Sequence, residues 1–413
     1  MAARSGPPAR FKVAALLVVL GMITYVDRAC MGTLKPNIAH DLGLSDVQIS
    51  WVFSIFSWSY ALFGIPGGVM ADRFGTRTVL TLIVVGWSLC TILTGQAVGF
   101  WNLMVVRFIF GAAEAGAWPS VARTFAQWLP KSERARAQGT FFAGSHFAAG
   151  VTAYLVADLL RMVSWREVFF AFGIVGLAWA IVWAIWFRNL PSEHPSVDAA
   201  ECALIGEPIA GLPKVEWLTL LRMFTRSKVW ILCGMYFPLS TFFYFCITWL
   251  PTYLKEQLGL RPQLATFFAA LPLVLCAFAD VLGGWATDQA VTRRGLRDGY
   301  RVVGAGAFAV SAVTLIAAPL TSNGIVAGLL ISVGTGASMF TLPAAWGAST
   351  KIGGPQAATV SAAMNTAGQI GSAICPLLVG YALKWFHSWT LSIEIMAGFF
   401  VIGALCWLKL EVE

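Results

Sequence analysis

Along the chain, long apolar runs bounded by charged residues, Pro or Gly alternate with short polar stretches. Six fall at Phe11 to Leu34, Ile49 to Ala71, Val79 to Val98, Phe100 to Phe125, Ala137 to Leu160 and Val168 to Phe187. After a polar stretch, six more follow at Val229 to Leu254, Leu264 to Ala286, Val302 to Leu320, Gly324 to Trp346, Ala357 to Leu383 and Trp389 to Leu408. A helix needs about 20 apolar residues to cross the hydrocarbon core. The pattern therefore predicts an all-α membrane protein with twelve transmembrane helices in two six-helix bundles. The divisions are a tail at residues 1–10, a bundle at 11–187, a linker at 188–228 and a second bundle at 229–410. Gly and Pro within the runs do not count against helices, because neighbouring helices re-satisfy freed backbone groups. The first run is longer than a signal-peptide core and lacks an A-x-A-like cleavage site, which predicts a retained span.

Composition agrees. Of 413 residues, 58% are hydrophobic and 12% charged, with mean hydropathy +0.73; soluble domains carry about 25% charged residues. A soluble enzyme is excluded. The net charge of +8 does not call for nucleic acid, because the positive residues are sorted by side. Apart from Arg28 and Arg107 within spans, every Lys and Arg but Lys35, Arg161, Arg166, Lys255, Arg261 and Lys384 falls on the side of the termini. That asymmetry predicts cytoplasmic termini and a basic face where anionic lipid attracts it. In the linker, the amphipathic stretch from Trp217 to Phe224 suits the membrane surface. The eight Cys are scattered, with no C-x-x-C pair and no His at metal spacing, so no metal is expected. No nucleotide-binding glycine loop and no nucleophile with a nearby base appears either, so no enzyme and no cofactor is expected beyond a proton as coupling ion.

A repeat relates the halves. After the second run the chain reads Gly68-Val-Met-Ala-Asp72-Arg73-Phe-Gly75-Thr-Arg77, and after the eighth Gly284-Trp-Ala-Thr-Asp288, followed by Arg293 and Arg294. Gly allows helices close together, and Asp at a helix end can pair with Arg or a facing helix terminus. The recurrence favours a gate element on the cytoplasmic side, built from Gly68, Asp72, Arg73, Gly75, Arg77 and Asp288, over a solvated turn.

Four ionisable residues lie deep in the first half: Asp27, Arg28, Arg107 and Glu114. Unpaired at a helix centre each costs about 2.5 to 3.5 kcal/mol, so the four together would cost on the order of 10 to 14 kcal/mol. They are expected to be paired or to face water. Arg107 and Glu114 stand close to two turns apart on one face, with Gly111 between them. Asp27 and Arg28, adjacent in sequence, point in different directions. The reading is that the Arg28 and Arg107 guanidiniums fork onto a substrate carboxylate, while Asp27 and Glu114 alternate between protonated and Arg-paired forms. A fixed ion-pair network is the alternative, weakened by how little such a network stabilises when buried.

The second half offers mainly neutral polar groups. Asn365 and Gln369 share one helix face with Ser361, Trp346 follows the Pro343 break, and Trp249 is a second available indole. Amides suit hydroxyls, so this half is expected to read a polyhydroxylated body, with an indole offering a ring face. Asp280, eight residues before Asp288, falls near mid-membrane; a second proton site and pairing with a hydroxyl both stand open. His146 in the fifth run reads first as a helix contact, with substrate or proton work as the lesser alternative, and His194 in the linker as solvated.

These motifs together resemble the major facilitator superfamily and, within it, the anion:cation symporter family of bacterial sugar-acid and phthalate-type permeases. The resemblance spans essentially the whole chain. It is carried by Tyr25-Val-Asp27-Arg28, Ser59-Tyr60, the Gly68 to Arg77 loop, Arg107-Phe-Ile-Phe-Gly111-Ala-Ala-Glu114, Trp128-Leu-Pro130 through Arg136, Pro191-Ser-Glu-His194-Pro195 and Thr248-Trp249-Leu-Pro251. It implies that Arg28 and Arg107 bear on anion binding, Asp27 and Glu114 on proton coupling, and that Tyr25 and Tyr60 line the cavity. The family's vertebrate branch tends to carry a glycosylated first outer loop. Here no Asn stands in an N-x-S/T context, which favours a bacterial inner-membrane member.

The expectation is thus a monomeric, proton-coupled symporter that imports a small organic anion, such as an aldonate, hexuronate or aldarate, by alternating access. The rivals are a carrier of an aromatic or dicarboxylic acid, an anion exchanger, and a non-transporting nutrient sensor; the short tails weigh against the last.

Overall fold

The computed structural model describes residues 8–206, 225–353 and 357–412, and the amphipathic stretch from Trp217 to Phe224 lies outside them. Every element among the described residues is helical. The first half comprises α1 (Ala9–Asp41), α2 (Asp46–Phe74), α3 (Thr76–Gly95), α4 (Phe100–Glu114), α5 (Ala117–Trp128), α6 (Lys131–Leu159) and α7 (Trp165–Trp186). A short linker helix, α8 (Ala199–Ile205), follows. The second half comprises α9 (Ser227–Thr248), α10 (Leu250–Glu256), α11 (Pro262–Arg294), α12 (Leu296–Ala317), α13 (Gly324–Met339), α14 (Leu342–Gly353), α15 (Ala357–Phe386) and α16 (Trp389–Lys409).

Among the described residues, ten helices are long and apolar enough to cross a membrane, so the chain is a multi-pass membrane protein. Two of the twelve expected spans, α2 and the α4–α5 pair, are not among the ten. The fourth span is interrupted after Glu114, which leaves segments of 15 and 12 residues. The seventh and tenth spans break likewise, at Trp249 and at Phe340–Thr341.

Local chemistry explains several boundaries. Ser45 and Ser164 each open a helix with a reciprocal capping box, closed by Gln48 and Glu167. Hydrogen bonds from Ser164 hold the exposed Glu167 carboxyl below the usual carboxylate range. The first helix runs to Asp41, beyond the expected end at Leu34, because Pro36 is tolerated within it. Lys35, expected in an outer loop, is consequently helical and buried.

The linker is docked. Glu201 of α8 accepts from the backbone N–H of Arg10 at 3.0 Å and pairs with the Arg10 guanidinium at 3.5 Å, so it supplies an anion to the positive end of α1. His194 is buried against Trp186 and Trp128, with ring centres 4.6 and 5.6 Å away. This corrects the solvated position expected from its polar surroundings, and the burial pushes its imidazole pKa down.

The halves meet mainly where α6 packs on α11 and α2 on α15, with α1 also touching α9 and α10. The specific contacts gather toward the face opposite the termini. Ser54 donates to the Ala373 carbonyl at 2.7 Å, Gly150 lies against Ala270 and Val274, and a methyl on Gly32 would collide with the Ile247 carbonyl.

The internal repeat is visible in packing. On α2, Gly67 meets the backbone of Gly116 at the α4–α5 break, and Gly68 faces Pro119. On α11, Gly283 meets the Phe340 carbonyl at the α13–α14 break, and Gly284 faces Pro343. Each of these helices ends on a left-handed glycine, Gly75 at φ 78° and Gly295 at φ 83°, a conformation that only Gly adopts without strain. The close approach thus falls one residue before Gly68 and Gly284. Gly67→Ala and Gly283→Ala are expected to cost about 1–3 kcal/mol through overpacking, read as earlier thermal unfolding in detergent. At Gly68 and Gly284 a methyl would meet Pro at 3.5 and 3.7 Å, ordinary contact, so alanine there should unfold no earlier than wild type.

Candidate substrate and proton site

The four ionisable residues converge. α1 supplies Asp27 and Arg28, and α4 supplies Arg107 and Glu114. α4 can approach α2 because a side chain at Gly111 would run into the Phe56 carbonyl and Ser59 hydroxyl. Arg28 donates through Nε to Glu114 Oε1 at 2.8 Å, and its terminal nitrogen bonds the same oxygen. Glu114 Oε2 is left without a hydrogen-bond partner.

Aromatic rings enclose the Arg28 guanidinium, with the Tyr25, Phe56 and Tyr60 centres at 5.5, 5.2 and 5.2 Å. The Arg107 guanidinium carbon stands 4.9 Å from the same Phe56 ring and 4.7 Å from Phe110. Two cations therefore share one aromatic ring, Phe56, an attraction that grows when water is removed. Arg107 Nε and both carboxyl oxygens of Asp27 have no hydrogen-bond partner. Thr91 lies beside Asp27, but its hydroxyl is committed to the Trp87 carbonyl at 3.1 Å. Arg28 is fully matched to Glu114, whereas Arg107 and Asp27 lie within electrostatic reach of each other without that match.

The second half closes over this cluster through α9. Phe243 packs on Tyr25 with ring centres 6.1 Å apart, and Tyr244 comes within electrostatic reach of Arg107 while its hydroxyl donates to the Phe53 carbonyl at 3.4 Å. Phe56, Phe243 and Tyr244 carry no charge to mark them in the sequence; the aromatic run Phe242-Phe243-Tyr244-Phe245 in mid-span is a signal for the last two only.

Asn365 and Gln369, four residues apart on α15, are both partly exposed. Trp346 on α14 stands perpendicular to Tyr236, ring centres 6.3 Å apart, and its Nε1 has no partner. No contact described joins these three to the ionic cluster. Trp249 is fully buried with its ring face taken, since Lys35 Nζ lies 3.1 Å from its centre. It offers no free surface in this state.

Of the gate residues, Arg77 donates through Nε to the Ala184 carbonyl at 2.9 Å, and its backbone N–H donates to Asn189 Oδ1 at 2.9 Å. Gly75 fits against the Asn189 side chain. These contacts tie the α2–α3 turn to the end of α7. Arg73 lies exposed beside Phe74, and Asp288 is exposed on α11. The Asp72 side chain lies outside the described residues.

Broken membrane helices, a glycine-mediated repeat and buried charges facing the opposite bundle define a membrane transporter of two related halves. Residues 17–376 match the family model of the Major Facilitator Superfamily, and the chain belongs to that family. It is 31% identical over 402 residues to the probable sulfoacetate transporter SauU of Cupriavidus necator, covering 96% of this chain and 92% of the relative. It is also 31% identical to the probable galactarate/D-glucarate transporter GudP of Bacillus subtilis, covering 91% and 86%, and 27% identical to an Escherichia coli D-galactonate transporter, covering 97% and 95%. Among solved structures, a bacterial homolog of the human lysosomal transporter Spinster, inward-facing and unoccupied, shares the fold with TM-score 0.75 and 20% identity over 98% of each chain. The family and these relatives are transporters, not enzymes.

Glu114→Ala strands the Arg28 cation in a dry site and is expected to cost about 3–5 kcal/mol. Glu114→Gln keeps an acceptor for Arg28 and should cost clearly less, with both read from thermal unfolding in detergent.

Proposed function

We propose that this protein imports an organic anion together with protons by alternating access, and that the anion is a sugar acid such as an aldonate, hexuronate or aldarate. Arg28 and Arg107 bind the carboxylate, Asp27 and Glu114 carry protons, and Tyr25 and Tyr60 line the path. Asn365, Gln369 and Trp346 contact the hydroxylated body. The closing gate comprises Gly68, Asp72, Arg73, Gly75, Arg77 and Asp288. Twelve spans, a monomeric state and the bacterial inner membrane belong to the same reading, as do cytoplasmic termini, which the Lys and Arg asymmetry supports.

One observation carries it. Beside the Arg28–Glu114 pair, a buried guanidinium and a buried carboxyl keep hydrogen-bonding capacity unspent. A carboxylate ligand would be held by Arg107 and would compete with Glu114 for Arg28. Displaced from its cation, Glu114 is a buried acid that favours its protonated form. Anion and proton are thereby bound together. When the acid ionises again it reclaims Arg28 and drives the anion off. The cargoes named for the relatives, sulfoacetate, galactarate, glucarate and galactonate, are all organic anions, in keeping with this chemistry.

The test is uptake into proteoliposomes of a panel comprising D-galactonate, galactarate, D-glucarate and sulfoacetate, with and without an inward proton gradient. The gradient is expected to drive accumulation of at least one sugar acid, and uptake indifferent to it would refute symport. Glu114→Gln should keep exchange of the acid across the membrane and lose gradient-driven accumulation. Arg107→Ala should abolish both.

A further inference from the structure

A second buried acid–base pair lies outside the cluster just described. On facing positions of α6 and α11, across the divide between the halves, His146 Nδ1 stands 2.7 Å from Asp280 Oδ2. Both residues are buried, at 2% and 6% exposure, and Asp280 Oδ1 has no hydrogen-bond partner. The imidazole is walled by Tyr25, Phe243 and Phe142, with ring centres 5.4, 5.0 and 6.5 Å away.

The ionisable groups facing this pair are few. From α1 come Tyr25 and, behind its ring, Arg28; from α4 comes Glu114, reaching Tyr25; from α9 comes Tyr236; and from α11 itself comes Cys276. Tyr25 is the joint between the two sites, since its ring also stands 5.5 Å from the Arg28 guanidinium carbon. A continuous series therefore runs Glu114, Arg28, Tyr25, His146, Asp280, from the first bundle into the second.

Charge balance decides what the pair must hold. Arg28 and Arg107 are matched in number by Asp27 and Glu114, which leaves no cation for Asp280. With a neutral imidazole, an ionised Asp280 would be an uncompensated charge in an apolar wall, which proteins avoid by neutralising the group. One additional proton removes the imbalance, whether it sits as imidazolium facing carboxylate or as imidazole facing carboxylic acid. The dry pair thus holds one proton beyond the neutral imidazole and carboxylate ion.

Because the partners belong to different bundles, the pair exists only while α6 and α11 are together. One helical turn farther along α6, Gly150 lies against Ala270 and Val274, so the contact that brings the helices together also assembles the pair. Alternating access wets the midplane from one face and then from the other. A proton taken from water at the first wetting is held while the pair is dry and returned to water at the second.

From this geometry we infer that His146 and Asp280 form a second proton-carrying site, which moves one proton per cycle in addition to those handled by Asp27 and Glu114. The inference rests on the proton-coupled reading above and assigns a function to a pair that reading does not use. The test measures proton and substrate entry together in proteoliposomes of the full chain, using the acid of the panel that accumulates fastest. His146→Gln and Asp280→Asn are each expected to lower the proton-to-substrate ratio by one while counterflow of the acid continues. A wild-type ratio retained by both variants would overturn the inference and leave a structural contact. Wild-type uptake with no proton movement would instead overturn the symport reading, a different outcome. If a single variant does not survive purification, the double variant His146→Gln/Asp280→Asn keeps a side-chain hydrogen bond across the divide and carries the same expectation.

Discussion

An arginine and a glutamate taken out of water set the terms for the first bundle. Arg28 and Glu114 are tolerable in an apolar body only because both bonds of the guanidinium fork land on one carboxylate oxygen. Several otherwise unrelated features follow from that need. Helix α4 ends at Glu114, Gly111 is small enough to bring α4 onto α2, and three aromatic rings replace the water Arg28 has lost. The partly matched Arg107 and Asp27 are tolerable beside this neutral pair because their opposite charges lie close together.

Long apolar runs made the helical architecture legible, because in lipid it has few alternatives. The four ionisable residues were legible for the same reason, their cost in that setting being too high to be incidental. Partner choice was not legible. That Arg28 rather than Arg107 takes Glu114, and that Asp280 meets His146 rather than a hydroxyl, depends on rotation and closeness of helices far apart in sequence. Composition also misled for His194 and Lys35. Each is polar in a stretch read as loop, yet each is covered by an indole remote in sequence, Trp128 on His194 and Trp249 on Lys35.

The two halves share a frame but not a chemistry. Both set a Gly-Gly step against the break of a discontinuous helix, and both close that helix on a left-handed glycine. The helix concerned is longer in the second half, 33 residues against 29, so the copies are not interchangeable. The ionic cluster belongs to the first half, and the second answers with Tyr244, Phe243 and the buried carboxylate of Asp280. The backbone geometry is duplicated, and the side chains it carries are not.

Lys35 closes the opposite face of the molecule in an unusual way. Its ammonium has no hydrogen-bond acceptor, with Asp46 3.9 Å away and the Trp249 ring beneath it. A cation held mainly by an aromatic face has surrendered more hydration than it recovers. Parting the halves at that end would let water back onto the ammonium, so some of the free energy lost with the apolar contacts returns as hydration. Burial of this lysine thus limits how much the contact between α1 and the α9–α10 break stabilises the closed arrangement.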